Sequence, residues 1–337
     1  MVSRLNDIYN FGVKQTELFY SNVLSERTGA NVFIKREDLQ DNKSFKIRGA
    51  INNILNQLDI AKQKNEDPDK KTFICASTGN HAQGVAMACY KMKKKGIIFM
   101  PKIASQVKID KTKNFGKEYV EIKLVGDNFD ECLAEAEKYT KENNACFVHP
   151  YDDNFTIEGQ SSSMEEIYNQ LKEQNKNCDL IFCPVGGGGL ISGIINVCEK
   201  YNTNTKIIGC QTELCHPLTE DLKQHKNIES DIEKKEIITD GSLVKKLGKL
   251  TFEIINNCNN FSIEVLQNNK VLYCMGLAKV EHDIDVEGAG GLSFAGFLQY
   301  AKTNDVKSKN VVLLNSGGNV LQDIQNRAID FYKNNDF

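Results

Sequence analysis

Residues 179–201 read DLIFCPVGGGGLISGIINVCEKY. An apolar run, Asp179 to Val185, stops at four glycines, Gly186, Gly187, Gly188 and Gly189, and after Leu190 an amphipathic segment runs from Ile191 to Tyr201. A short continuous apolar run before a glycine turn predicts a strand buried on both faces, and the segment after the turn predicts a helix. Strands of that kind belong to parallel sheets covered by helices. Successive glycines let backbone N–H groups converge on an anion at the helix N-terminus, where the dipole already favours negative charge. The competing reading is an ordinary strand-to-helix turn, which needs fewer glycines. As a phosphate site the loop suits a small ligand, because Ile191 and the residues after it match neither the dinucleotide GxGxxG nor the nucleotide GxxxxGK spacing.

The same rhythm recurs outward from this stretch. Asn31 to Lys35, Thr72 to Ala76, Gly96 to Met100, Tyr119 to Leu124, Lys206 to Gln211 and Asn310 to Asn315 are further apolar runs separated by helix-length segments. The alternation predicts an α/β architecture of mostly parallel sheets, with sites at the strand C-terminal ends. Two sheets are expected, because one group of strands ends near Pro150 and the next begins near Asp179. Ala61 to Lys71 is polar, carries Pro68 and reads as an exposed loop.

Bulk composition excludes several function classes. The 337 residues, 40% of them hydrophobic, suffice for one large or two medium domains. With 42 basic and 45 acidic residues spread along the chain, no footprint for nucleic acid or an acidic membrane stands out. The basic run Lys91 to Lys95 reads as a solvated helix end. Eleven scattered cysteines, with no CxxC pair and no hydrophobic leader at Met1 to Asn10, read as reduced, mostly buried thiols of a cytosolic protein. Neither a metal site nor a transmembrane segment is expected.

Three more segments carry chemistry. Ser316-Gly317-Gly318-Asn319 is a second glycine turn after an apolar run. Ser77-Thr78-Gly79-Asn80-His81, after Ala76, puts hydroxyls, a glycine and an amide at a helix start, a loop suited to a carboxylate. Its plain alternative is an N-cap by Ser77 or Thr78. In Ser44-Phe45-Lys46-Ile47-Arg48-Gly49-Ala50, Ser44 is placed to cap a helix running to Leu58, so Lys46 stands in the first turn, against the positive dipole end. That placement disfavours the ammonium and suits a Schiff-base lysine.

Together these stretches resemble the threonine dehydratase and serine racemase family of pyridoxal-phosphate enzymes, fold type II. The likeness runs from Lys35-Arg36-Glu37-Asp38-Leu39 through Ser44 to Ala50, Ser77 to Ala86, Pro150-Tyr151-Asp152-Asp153, Gly159-Gln160, Gly186 to Gly193 and Glu287-Gly288-Ala289-Gly290 to Ser316 to Asn319. The resemblance implies pyridoxal 5′-phosphate on Lys46 as a Schiff base, Phe45 packed beside it, Asn80 on the ring hydroxyl, Gly186 to Leu190 around the phosphate and Ser316 facing the ring nitrogen. Ser77, Thr78, Gly79 and His81 would line the substrate carboxylate loop. It further implies a two-domain fold, residues 1–50 with 159–337 as the larger cofactor domain and 51–158 as a smaller inserted one that closes over substrate, each a mostly parallel sheet flanked by helices. Homodimers or homotetramers are usual for the family.

The activity implied is dehydration of L-threonine, and of L-serine, by β-elimination of water to 2-oxobutyrate or pyruvate and ammonia. Serine racemase or a serine-preferring dehydratase is the alternative, and a silent ligand-binding relative is the alternative of another class. Thr78 stands where racemases of the family carry an acid/base serine, so it is the candidate second catalytic residue beside Lys46. Gln211 and Pro217 stand where racemases of the family carry metal-binding carboxylates, and the Gln-x-Glu pattern of Gln211-Thr212-Glu213 resembles the catabolic dehydratases. Lys14-Gln15-Thr16-Glu17-Leu18 lacks the family's proline, which is expected to loosen that entry loop. The chain ends at Phe337, so the C-terminal regulatory domain of biosynthetic threonine dehydratases, and isoleucine feedback with it, are not expected.

Overall fold

The structure, a computed structural model, describes residues 5–230, 232 and 236–337. Ten strands occur among them: β1 Leu18–Tyr20, β2 Asn31–Arg36, β3 Thr72–Ala76, β4 Lys95–Met100, β5 Val120–Leu124, β6 Cys146–Phe147, β7 Leu180–Pro184, β8 Lys206–Thr212, β9 Phe261–Leu266 and β10 Asn310–Asn315. They form two sheets, ordered β5-β4-β3-β6 and β1-β2-β10-β7-β8-β9. All pairings are parallel except β1 with β2. The α/β class and the two sheets match expectation; β1, β6 and β9 are strands the apolar runs did not announce.

The chain divides into two compact units. One comprises the segment ending at Lys14, Gln40–Asn42 and Lys46–Gln160; the other comprises Gln15–Leu39, Lys43–Phe45 and Ser161–Phe337.

In the first unit the chain passes from β3 to β4 to β5 on one side, and β6 falls on the other side of β3. Helix Lys46–Gln63 belongs to this unit throughout, because Ile47, Ala50, Ile51, Ile54 and Leu58 fall on one helical face and pack with Val85, Ala88 and Cys89 of helix Asn80–Met92. The two helices touch at Gly84, where an added Cβ would come within 3.1 Å of the Lys46 carbonyl carbon. The expected loop after Ala61 is helical to Gln63 and then makes a 3-10 turn at Pro68–Lys70, with Asp67 accepting from Asp69 N–H. Helix Asn80–Met92 ends where Lys93 turns left-handed, with Lys91 and Lys94 paired to Asp41 and Asp69.

In the second unit successive residues of the central strands feed two different cores. Leu180, Phe182, Val311 and Leu313 pack on one face of the sheet, and Ile181, Cys183, Val312 and Leu314 on the other. Burial on both faces is why these strands read as unbroken apolar runs. From β7 the chain moves outward to β8 and β9, then returns to place β10 between β7 and β2. A parallel sheet whose order reverses in this way opens a crevice at the strand C-terminal ends.

Candidate active site

Each unit carries one set of the expected residues at such a reversal. In the first unit the loops following β3 and β6 flank it. Lys46 begins its helix, and its Nζ donates to Pro150 O at 2.9 Å. Ser77 N–H still bonds Phe99 O, and Ser77 Oγ accepts from Gly79 N–H at 3.2 Å. Neither Ser77 nor Thr78 occupies the N-cap position of helix Asn80–Met92: Gly79 does, with no side-chain bond. Capping by those hydroxyls is therefore corrected, since Ser77 Oγ is used inside the turn.

His81 lies two residues into the helix start but turns its ring inward. The ring is 3% exposed, and Nε2 lies 2.8 Å from Val148 O. A carbonyl only accepts, so Nε2 carries the proton. Burial first, then the Lys46 ammonium, hold this imidazole down to about 3, and it is neutral. Its Nε2 is thus committed to Val148 O, while Nδ1, left an unprotonated acceptor, is buried without a hydrogen-bond partner among the described residues.

That segment is a built turn. His149 Nδ1 accepts from Tyr151 N–H at 3.2 Å and Asp152 N–H at 2.8 Å, and His149 O accepts from Thr156 Oγ1 at 3.0 Å. Asp153 Oδ1 takes Thr156 N–H and Asn53 Nδ2–H.

In the second unit, β7 and β10 are parallel neighbours, so the loops after them leave the same sheet edge. The glycine loop opens helix Gly189–Lys200 from Gly188 at φ 91°, again without a side-chain cap. Gly187 O is pinned by Thr251 Oγ1 at 2.7 Å. Before the loop, Val185 O accepts from Gln211 Nε2, while Gln211 Oε1 accepts from Leu218 N–H. This amide thus uses both ends on backbone.

Beyond β10, Ser316 is 2% exposed and its carbonyl accepts from Phe45 N–H at 3.1 Å. Ser44 bridges Gly317 through the backbone, one residue ahead of Phe45, and Phe45 packs on the core that includes Ile191 and Leu314. Asn315, fully buried, donates to Asp38 Oδ1 at 2.8 Å. Phe45, Ser316 and the residues Gly186 to Leu190 are thereby organised around one sheet edge, and Lys46 with Ser77 to His81 around the other unit's.

A family model described as pyridoxal-phosphate dependent enzyme matches residues 9–317. The chain belongs to this family. Among relatives of this pyridoxal-phosphate-dependent enzyme, the biosynthetic L-threonine dehydratase of Halalkalibacterium halodurans is 39% identical over 309 residues, 91% of this chain and 70% of that one. That of Staphylococcus epidermidis is 36% identical over 323 residues, 95% and 74%. The processed form of threonine deaminase isoform 2 from Solanum lycopersicum superposes with a TM-score of 0.85 at 29% identity, covering 96% of this chain and 89% of that chain. Serine racemase from Dictyostelium discoideum gives 0.79 at 25% identity, covering 94% and 98%. These neighbours share fold type II, as expected. The curated relatives carry biosynthetic names, where the Gln211-Thr212-Glu213 pattern had suggested the catabolic type.

The residues of this pyridoxal-phosphate-dependent enzyme fit its cofactor. An anion needs bare helix amides, and the glycine loop offers them at a position where a side chain is excluded: a Cβ on Gly188 would lie 2.8 Å from Thr251 Cβ. A Cβ on Gly79, in contrast, would meet nothing within 4 Å, so the other loop borders open space. His149 was missed by sequence reasoning. A histidine accepting N–H groups two and three residues ahead leaves no motif, because the ring's direction is set by its packing on Phe147 and Tyr151.

Proposed function

We propose that this enzyme dehydrates and deaminates L-threonine, and L-serine as a second substrate, releasing 2-oxobutyrate or pyruvate and ammonia. The observation that carries the reading is identity of 36–39% with named L-threonine dehydratases over 91–95% of the chain. Pyridoxal phosphate, when bound, supplies an electron sink for the amino-acid Cα. Gly186, Gly187, Gly188, Gly189 and Leu190 would hold its phosphate, Asn80 its ring hydroxyl, and Phe45 its ring face. Lys46 would hold it covalently, and its Nζ would serve as the base for the substrate Cα proton. Ser316 would offer the ring nitrogen a neutral hydroxyl, which, unlike a carboxylate, does not stabilise a protonated nitrogen and would favour loss of a β-substituent over transamination. Ser77, Thr78, Gly79 and His81 would line the loop that receives the substrate carboxylate.

Racemisation of serine is the second reading, favoured by the Thr78 hydroxyl, half-buried in the turn that opens helix Asn80–Met92. A homo-oligomer in the cytoplasm is part of the proposal; the eleven cysteines, none of them in a disulfide, agree with a reducing compartment. We propose the reaction without assigning it a catabolic role. The test is a ketoacid assay on L-threonine, L-serine and D-serine, with Lys46→Ala beside the parent enzyme. Ketoacid from L-threonine that disappears in Lys46→Ala is expected, and no product from any of the three amino acids would refute the proposal.

A further inference from the structure

We propose that Pro150 O is the seat of the Lys46 amine whenever that amine is not joined to the cofactor, and that His149 is the positioning residue of this seat. The inference rests on the reading of Lys46 as the cofactor lysine and adds a residue to it. A long lysine side chain holds many rotamers, and returning its amine to one place after each release has an entropic cost. A fixed acceptor removes that cost. Pro150 O, 2.9 Å from Lys46 Nζ, is such an acceptor. It is neutral, so unlike a carboxylate it orients the amine without demanding the charged form.

The carbonyl stays in place because its neighbours on both sides are clamped. Upstream, Val148 N–H bonds Ile74 O at 2.7 Å, and Val148 O takes His81 Nε2–H. Downstream, Tyr151 N–H and Asp152 N–H converge on His149 Nδ1, and Thr156 Oγ1 donates to His149 O. Proline itself has no N–H, so the carbonyl is the one polar backbone group left at the apex. An unprotonated Nδ1 is required, and burial keeps the His149 imidazole below its usual value against the pull of Asp152 and Asp153. The nearby acid Asp153 is occupied by Asn53 and Thr156.

Two variants separate this role from general packing. His149→Leu keeps bulk and loses the acceptor, whereas His149→Asn restores an oxygen able to take N–H groups two and three residues on. Enzyme resolved from its cofactor is mixed with pyridoxal phosphate in a stopped-flow instrument, and the visible absorbance of the lysine-bound form is followed. In parallel, affinity for pyridoxine 5′-phosphate, which lacks the aldehyde, is measured by tyrosine fluorescence. His149→Leu is expected to slow capture by about tenfold and His149→Asn by less than about twofold, with analogue affinity unchanged in both. Capture at the parent rate in His149→Leu, equal slowing in both variants, or a matching loss of analogue affinity would each overturn the proposal. Lys46→Ala is the control: if it keeps the visible band, the lysine assignment has failed, whereas a blank Lys46→Ala with an unchanged His149→Leu rejects the seat alone.

Discussion

Lys35 Nζ lies 2.6 Å from Glu166 Oε2, and neither side chain is more than 2% exposed. Lys35 also donates to Thr16 O and Gln170 Oε1, Glu166 Oε2 accepts Thr16 N–H, and Thr16 Oγ1 donates to Glu37. The entry loop that lacks a proline is therefore held at Thr16 by its N–H, its carbonyl and its hydroxyl, and the loosening expected from the sequence is offset. Removing one partner of a buried pair strands the other charge. Lys35→Met should lower unfolding free energy by roughly 3–5 kcal/mol in urea titration, and a loss under about 1 kcal/mol would show that Glu166 finds another partner.

His81 supplies a pH dependence whose sign follows from its burial. Held down to about 3 in the folded chain against an ordinary 6.5, it refuses a proton that the unfolded chain accepts between those values. Its contribution is complete above pH 6.5 and declines as pH falls through that window, by about 1.4 kcal/mol per unit for one such group. His149 and His282 shift the same way and steepen the same slope. Stability measured from pH 7 to 4 should fall less steeply in His81→Gln than in the parent; parallel curves would mean that His81 charges without unfolding.

Gly188→Ala should damage the glycine loop twice. At φ 91° an alanine is strained, and its Cβ would press on Thr251 Cβ. A stability loss of order 1–3 kcal/mol is expected, together with weaker retention of pyridoxal phosphate on dialysis. Retention equal to the parent would remove this loop from the phosphate site.

Thr78→Ala separates elimination from racemisation. Its methyl-restricted hydroxyl is dispensable for loss of water if Lys46 alone moves the Cα proton. Ketoacid formation from L-threonine is expected to stay within about threefold of the parent, a change of less than roughly 1 kcal/mol in barrier. Loss of D-serine by chiral chromatography, with ketoacid retained, would establish the racemase activity instead.

Much of this site was readable residue by residue. The glycines at 186–189 and Ser316 stand where the strand-then-loop pattern put them, and Lys46 stands in the first turn of its helix, as its place after Ser44 suggested. Strand β9 carried a legible alternation, Phe261, Ile263 and Val265, but lies at the sheet edge with partly exposed faces, so it lacked the unbroken apolar run of the central strands; β5, also an edge strand, is likewise only partly buried. Strands β1 and β6, three and two residues long, have no period to read.

The sequence by itself determined where the central strands β2, β3, β7, β8 and β10 and the glycine turn after β7 lie, because apolar runs and glycines act locally. Tertiary structure alone decided that β10 returns between β2 and β7, bringing Ser316 to the sheet edge of Gly186 to Leu190. It alone decided that Lys46 meets Pro150 O, 104 residues away, over a turn shaped by His149. A hydrogen bond between distant residues depends on strand order and side-chain direction, and neither leaves a local pattern in the chain.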